Sequence, residues 1–147
     1  MKMSRLAALS AAPFCLALAM PAHAQNYPFT EGDYVEIGMI SVDDGHGIDY
    51  ANFLADRWRK QQEFAKSQGW ITSYEVDANV HKRPGEADLY LITRYRSLPD
   101  PAEQARRDQA MRDHFKQDDA AMEAQSGERA KYRKEMGSML LQQQIFK

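Results

Sequence analysis

The sequence has a single cysteine among 147 residues, Cys15, and that residue sits in an apolar amino-terminal run. No disulfide can form within one chain, so a folded domain here rests on an ordinary core. Charge of one sign is also missing. Nineteen basic residues face 21 acidic ones, for a net charge of −2, which argues against a nucleic-acid binder built on a basic face. No phosphate-binding loop, dinucleotide glycine fingerprint, serine nucleophile elbow, zinc spacing of Cys and His, or haem-attachment motif occurs. Nothing in the sequence calls for a cofactor or a metal. Internal repeats and low-complexity tracts are absent too, and the length suits one domain.

One apolar run stands out, from Leu6 to Met20, preceded by Lys2 and Arg5 and followed by Ala22-His23-Ala24. It is shorter than the about 20 residues needed to span a bilayer. A basic start, an apolar middle and small residues at −3 and −1 predict a signal peptide over 1–24, cleaved after Ala24. The residues before Cys15 do not resemble a lipoprotein box. The expected address is periplasmic or secreted, without stable membrane insertion after processing. Cleavage removes Lys2 and Arg5 and no acid, so 17 basic residues would face 21 acidic ones. Mass analysis of exported protein should find Gln25 at the amino terminus, intact or cyclised; an intact Met1 would refute cleavage.

The remainder is read as an irregular arm over 25–32 and a folded domain over 33–147. Alternation predicts a strand over Tyr34–Val42, followed by a glycine-containing acidic loop, Asp43 to Gly47, with Asp49 as the expected helix cap. Tyr50, Leu54 and Trp58, four apart, predict a helix to Gln68, with Gly69 as the left-handed residue after it. Strands follow over Trp70–Val80 and Ala87–Tyr95, joined through Pro84-Gly85. Asp100-Pro101 opens a polar helix with Met111, Phe115 and Met122 as a weak stripe. Ser126-Gly127 is the expected break, then a short helix through Tyr132 and Met136, and a last strand over Ser138–Phe146.

The order β-α-β-β-α-β predicts an α+β fold of ferredoxin-like type, an antiparallel sheet with two helices on one face. Val35, Ile37 and Met39 are assigned to the helix side with Tyr74, Val76, Leu89, Leu91, Leu141 and Ile145. Glu36, Glu75, Tyr90, Ile92, Arg94 and Phe146 are assigned to the other side. That second face mixes charge with large apolar groups, a poor choice for water.

With this element order from Tyr34 to Phe146, and the Gly69-Trp70 step from first helix to second strand, the chain resembles the dimeric α+β barrel superfamily. That group includes antibiotic-biosynthesis-type monooxygenases, muconolactone isomerases and stress-responsive barrel proteins. The resemblance implies two sheets packed face to face as a homodimer, and a pocket between the first helix and the sheet. It transfers no catalytic residue, because one fold hosts unrelated functions.

Expected site residues follow from both readings. Glu36, Glu75, Arg94, Ile92 and Phe146 would form a dimer interface, where buried charges must pair. Trp58, Tyr74 and Met39 would line the pocket, although such spacings also suit plain core. His114 would supply a polar group able to move a proton, against the simpler reading of an exposed helix residue. His46 among Asp43, Asp44 and Asp49 is read as a polar loop and cap rather than a metal site, and His81 beside Lys82 and Arg83 as a solvated turn. The function expected is an exported protein of dimeric α+β barrel type that binds a small, partly apolar molecule. The alternatives are a cofactor-independent monooxygenase or isomerase, and a purely structural homodimer.

Overall fold

The computed structural model describes residues 27–147. The expected signal peptide, its cleavage site and Cys15 lie outside the described residues. Strand β1 (Phe29–Val42) leads to α1 (Gly47–Phe53), a π-helical turn (Leu54–Trp58) and α2 (Arg59–Ser67). Strands β2 (Ser73–Ala78) and β3 (Leu89–Tyr95) follow. Helices α3 (Pro101–Phe115) and α4 (Asp119–Ala130) precede β4 (Arg133–Phe146). The four strands form one antiparallel sheet in the order β2-β3-β1-β4. The result is a small α+β fold compatible with the ferredoxin-like arrangement. No helix among the described residues is long and apolar enough to cross a membrane.

α1, the π turn and α2 run on without leaving helical backbone angles. Gly69 at φ 72° ends this run as its position predicts. The start differs. The helix begins at Gly47 rather than after Asp49, and the Asp49 carboxylate accepts from His46 Nδ1 at 2.9 Å instead of capping amides. Asp100 does cap α3, its side chain accepting from the Glu103 N–H at 2.8 Å with Pro101 in the first turn.

The carboxyl-terminal third departs most from the sequence pattern. The helix breaks at Lys116, which takes a left-handed φ of 50°, and Asp118 caps a second helix through the Ala121 N–H. α4 then passes through Ser126-Gly127 to Ala130. The cap satisfies a free amide of the first turn, which outweighs the modest helix cost of one Ser-Gly step. Residues 133–137 are strand, not helix, because β1 continues to Val42 and offers them a ladder. Gly137, at φ 118°, sits where the β1–β4 register shifts between Met39 and Ile40. At the other end β1 begins at Phe29, inside the segment read as an arm, with a second irregularity between Glu31 and Tyr34.

Register decides the faces. Ile40 pairs with Leu89, Gly38 with Leu91 and Glu36 with Thr93, while Val76 pairs with Leu91 and Glu75 with Ile92. Ile40, Leu89 and Leu91 pack against Tyr50 and Leu54 of the first helix. The helix side of β1 is therefore Glu36, Gly38 and Ile40. Val35, Ile37 and Met39 lie on the outer side with Ile92, the reverse of the sequence assignment. Both sets alternate equally well. What separates them is the paired strand, whose parity was read correctly for β2 and β3. In β4 the same parity puts Met139 and Leu141 outside and Leu140 and Gln142 on the helix side.

Two clusters make the core. One joins Ile40, Tyr50 and Leu54; the other joins Ala65, Trp70 and Ile71, reached by Ala110 and Met111 of α3. Neither α3 nor α4 has a fully buried residue, so the second helical layer contributes little apolar burial and the first helix carries the core.

Acid should loosen the turn between β2 and β3. The Arg83 N–H, the Arg83 guanidinium and the Asn79 amide all donate to Glu86 and hold its carboxyl at about 2, below the ordinary 4.5. A carboxyl lowered on folding contributes stability above about pH 4.5 that is lost as pH falls toward 2. Midpoints of thermal unfolding should fall across that window, and Glu86→Gln should reduce the slope. An unchanged slope would contradict this role.

Candidate functional site

A hollow of about 640 Å³ lies between the first helix, the β2–β3 ribbon and the Asp43–Gly47 loop. Ala51, Leu54, Ala55 and Trp58 line it from the helix; Tyr74, Val76 and Leu89 line it from the sheet. The room has a local cause. Ala51 and Ala55 stand four apart on the exposed flank of the helix that borders the hollow, and neither has a side chain that could fill the gap. The π turn also alters where Trp58 comes round the helix axis. Its ring meets Tyr74 edge-on, with centroids 5.4 Å apart and planes at 82°. Glu63, on the helix, accepts from the Tyr74 hydroxyl and pushes its pKa up, which keeps the phenol protonated and ties the strand edge to α2.

The mouth is polar. Asp43, Asp44, Asp88 and Arg59 line it. Asp88 ties β1 to the start of β3: its carboxylate accepts from the Val42 N–H at 2.9 Å, the Ser41 hydroxyl at 3.1 Å and Lys82 Nζ at 2.7 Å. Burial acts to raise its pKa, but Lys82 and the two other donors hold it below the ordinary carboxylate range. It closes the β1–β3 end of the cavity as a fixed anion. Asp43 is positioned by its backbone, with its N–H donating to the Tyr132 carbonyl at 2.9 Å.

Behind Trp58 lies a smaller hollow of about 330 Å³, lined by Glu36, Gly38, Gln62, Thr93 and Tyr95 among others, with Trp58 as a wall common to both. Glu36 accepts from the Tyr95 hydroxyl there. Burial, then Glu36, pushes that hydroxyl well above its ordinary pKa. Gly38 leaves this space open because it lacks a side chain on the helix side.

The residues expected at the site are thus sorted. Trp58 and Tyr74 come together in the large cavity. Met39 does not; it is on the outer sheet face, for the register reason above. His114 is exposed at the end of α3, stacked on Phe64 with ring centroids 4.0 Å apart, and lines a different groove. Glu75, Arg94 and Ile92 share the outer face, with Arg94 Nη2 donating to Glu75 Oε1 at 2.9 Å. Glu36 belongs to the helix side. Phe146 falls on the opposite strand parity from Ile92's face and packs on Phe29, centroids 4.6 Å apart. Ala51, Ala55, Leu54, Asp43, Asp44 and Asp88 were not singled out as pocket residues. The paired small residues at 51 and 55, one turn apart beside Trp58, were the signal that marks them. His46 stacks on Tyr132 beside Asp49, and no group of three metal-ligating side chains occurs among the described residues.

No family model, curated protein or solved structure matches the chain.

Proposed function

We propose that this is an exported binding protein of ferredoxin-like, dimeric α+β barrel type, which holds a small, partly apolar molecule between its first helix and its sheet. The carrying observation is the cavity of about 640 Å³ with Trp58 and Tyr74 as aromatic walls and a polar mouth. That volume is in the range of small-molecule sites, and an apolar body with a few polar groups at one end is the usual chemistry of such sites. The ligand's apolar part would lie against Leu54, Trp58 and Tyr74, and its polar end would meet the Asp43, Asp44 and Asp88 rim. The enzyme reading drew its proton-transfer group from His114, which lines another groove, and no observation favours it over binding.

The dimer is supported by the outer sheet face. Val35, Ile37, Met39, Ile92, Met139 and Leu141 share it, and Met139 and Leu141 are exposed in the single chain. A second copy would cover this apolar sheet, with each Glu75–Arg94 pair keeping its charges compensated at the interface. Arg94→Glu would set two acids side by side on that face. Light scattering at micromolar concentration should give a dimer for the natural protein and a monomer for Arg94→Glu; a monomeric natural protein would reject the interface. Native mass spectrometry of the same protein tests binding, with a small-molecule adduct expected and removed by an apolar competitor. Protein that carries no adduct and takes up no apolar ligand would favour the structural homodimer.

A further inference from the structure

A different face of the first helix, carrying Asn52, Phe53, Asp56 and Arg57, forms a groove of about 440 Å³ with Gln125, Glu128 and Arg129 of α4 and with Tyr132. Two acids and two arginines line it, but both acids are engaged by lysines from outside the groove. Lys60 donates to Asp56 at 2.5 Å, and Lys131 donates to Glu128 at 2.6 Å, so both acids of the groove are already paired. Arg57 and Arg129 form no ion pair among the described residues. The Arg129 guanidinium is instead held over the Phe53 ring, 4.0 Å from its centroid, which fixes its position without neutralising it. Behind it the Arg133 side chain is only 7 % exposed and pairs with Glu135 at its outer end. The Nε atoms of both Arg129 and Arg133 are buried without a hydrogen-bond partner. Burial, then Arg133, act to weaken Arg129's hold on its proton, and Arg57 adds to this. Arg57 and Arg129 therefore share one groove without a carboxylate partner, with Arg133 behind Arg129. Such crowding is unfavourable unless an anion completes it.

We propose that this groove binds a small organic oxyanion, a phosphate monoester or a carboxylate, between the guanidinium groups of Arg57 and Arg129. Planar guanidinium groups match two oxygens of such an anion at once. Asn52 and Gln125 add amide donors at the groove wall. A bare phosphate ion would leave much of the groove empty, and the Phe53 and Tyr132 rings line the remainder. The anion therefore carries an apolar or aromatic body. The site is separate from the cavity at Trp58 and stands or falls independently of it.

The test is a titration of the mature protein followed by the arginine Nε–H signals in nitrogen–proton NMR spectra. The probes are phenyl phosphate, benzoate and inorganic phosphate, with sodium chloride at matched ionic strength as the blank. Saturable shifts at Arg57 and Arg129 are expected with phenyl phosphate or benzoate, and inorganic phosphate should bind more weakly. Response to phenyl phosphate alone assigns the site to phosphate esters; response to benzoate alone assigns it to carboxylates. Arg57→Gln and Arg129→Gln should each weaken binding about tenfold. Arg96→Gln removes an exposed charge elsewhere and should change nothing. If Arg129→Gln fails to fold, Arg57→Gln decides. Shifts no larger than those with chloride, or unchanged affinity in Arg57→Gln, would overturn the proposal.

Discussion

Tyr50→Ala should destabilise the domain by about 3–5 kcal/mol, the range for truncating a large buried aromatic side chain. Among the described residues Tyr50 is the one large side chain that is fully enclosed, at 1 % exposure. It packs with Ile40 and Leu54, stacks on Phe53 with centroids 5.6 Å apart, and has the Arg133 guanidinium 5.9 Å from its ring. Its removal would leave a void at the centre of the larger cluster and take the aromatic face away from a buried cation. The phenol itself contributes less. Burial pushes its pKa up, and no hydrogen bond holds the hydroxyl among the described residues. Tyr50→Phe should therefore cost no more than about 1 kcal/mol. Urea unfolding of the three proteins checks both values. A Tyr50→Ala loss under about 1 kcal/mol would mean that the first helix is not what carries the core.

Trp58→Ala should act on binding and stability together. Trp58 is the wall shared by the hollows of about 640 and 330 Å³, so removing the indole would join them. Loss of the aromatic surface should weaken an apolar ligand at least about tenfold, the equivalent of roughly 1.4 kcal/mol. Because the indole is half-buried rather than enclosed, the stability cost should fall near or below about 3 kcal/mol. Trp58→Phe keeps a ring against Tyr74 and should recover most of both. An Ala variant that binds as tightly as the natural protein would remove Trp58 from the site.

The sheet and the first helix were legible because their signals are local and strong. Tyr50, Leu54 and Trp58 repeat at helical spacing, Gly69 can take a left-handed angle cheaply, and β2 and β3 alternate cleanly around the Pro84-Gly85 turn. Trp58 and Tyr74 were legible as a facing pair for the same reason. The faces of β1 were not. Glu36, Gly38 and Ile40 alternate with Val35, Ile37 and Met39, and both rows contain apolar groups, so only pairing with Leu89 and Leu91 settles which is inside. That one parity error moved Met39 out of the cavity and Glu36 off the outer face. The region after Phe115 misled because Asp118 as a cap outweighs Gly127 as a breaker, a competition that residue type alone does not rank. The cavity's size depends on what Ala51 and Ala55 lack, and missing volume leaves little trace in a hydrophobic pattern.

The central claim, a ligand cavity between the first helix and the sheet, is tested most directly by filling it. Ala51 lines the cavity from an exposed helical position, so Ala51→Phe can place a ring in the space without removing any core side chain. The measurement is the affinity of a neutral naphthylamine fluorophore for the natural protein and for this variant, with thermal unfolding recorded on both. Saturable binding to the natural protein is expected, with a loss of at least about tenfold in a variant that unfolds at a similar temperature. Equal affinity for the two proteins would place the ligand elsewhere and contradict the cavity as the binding site.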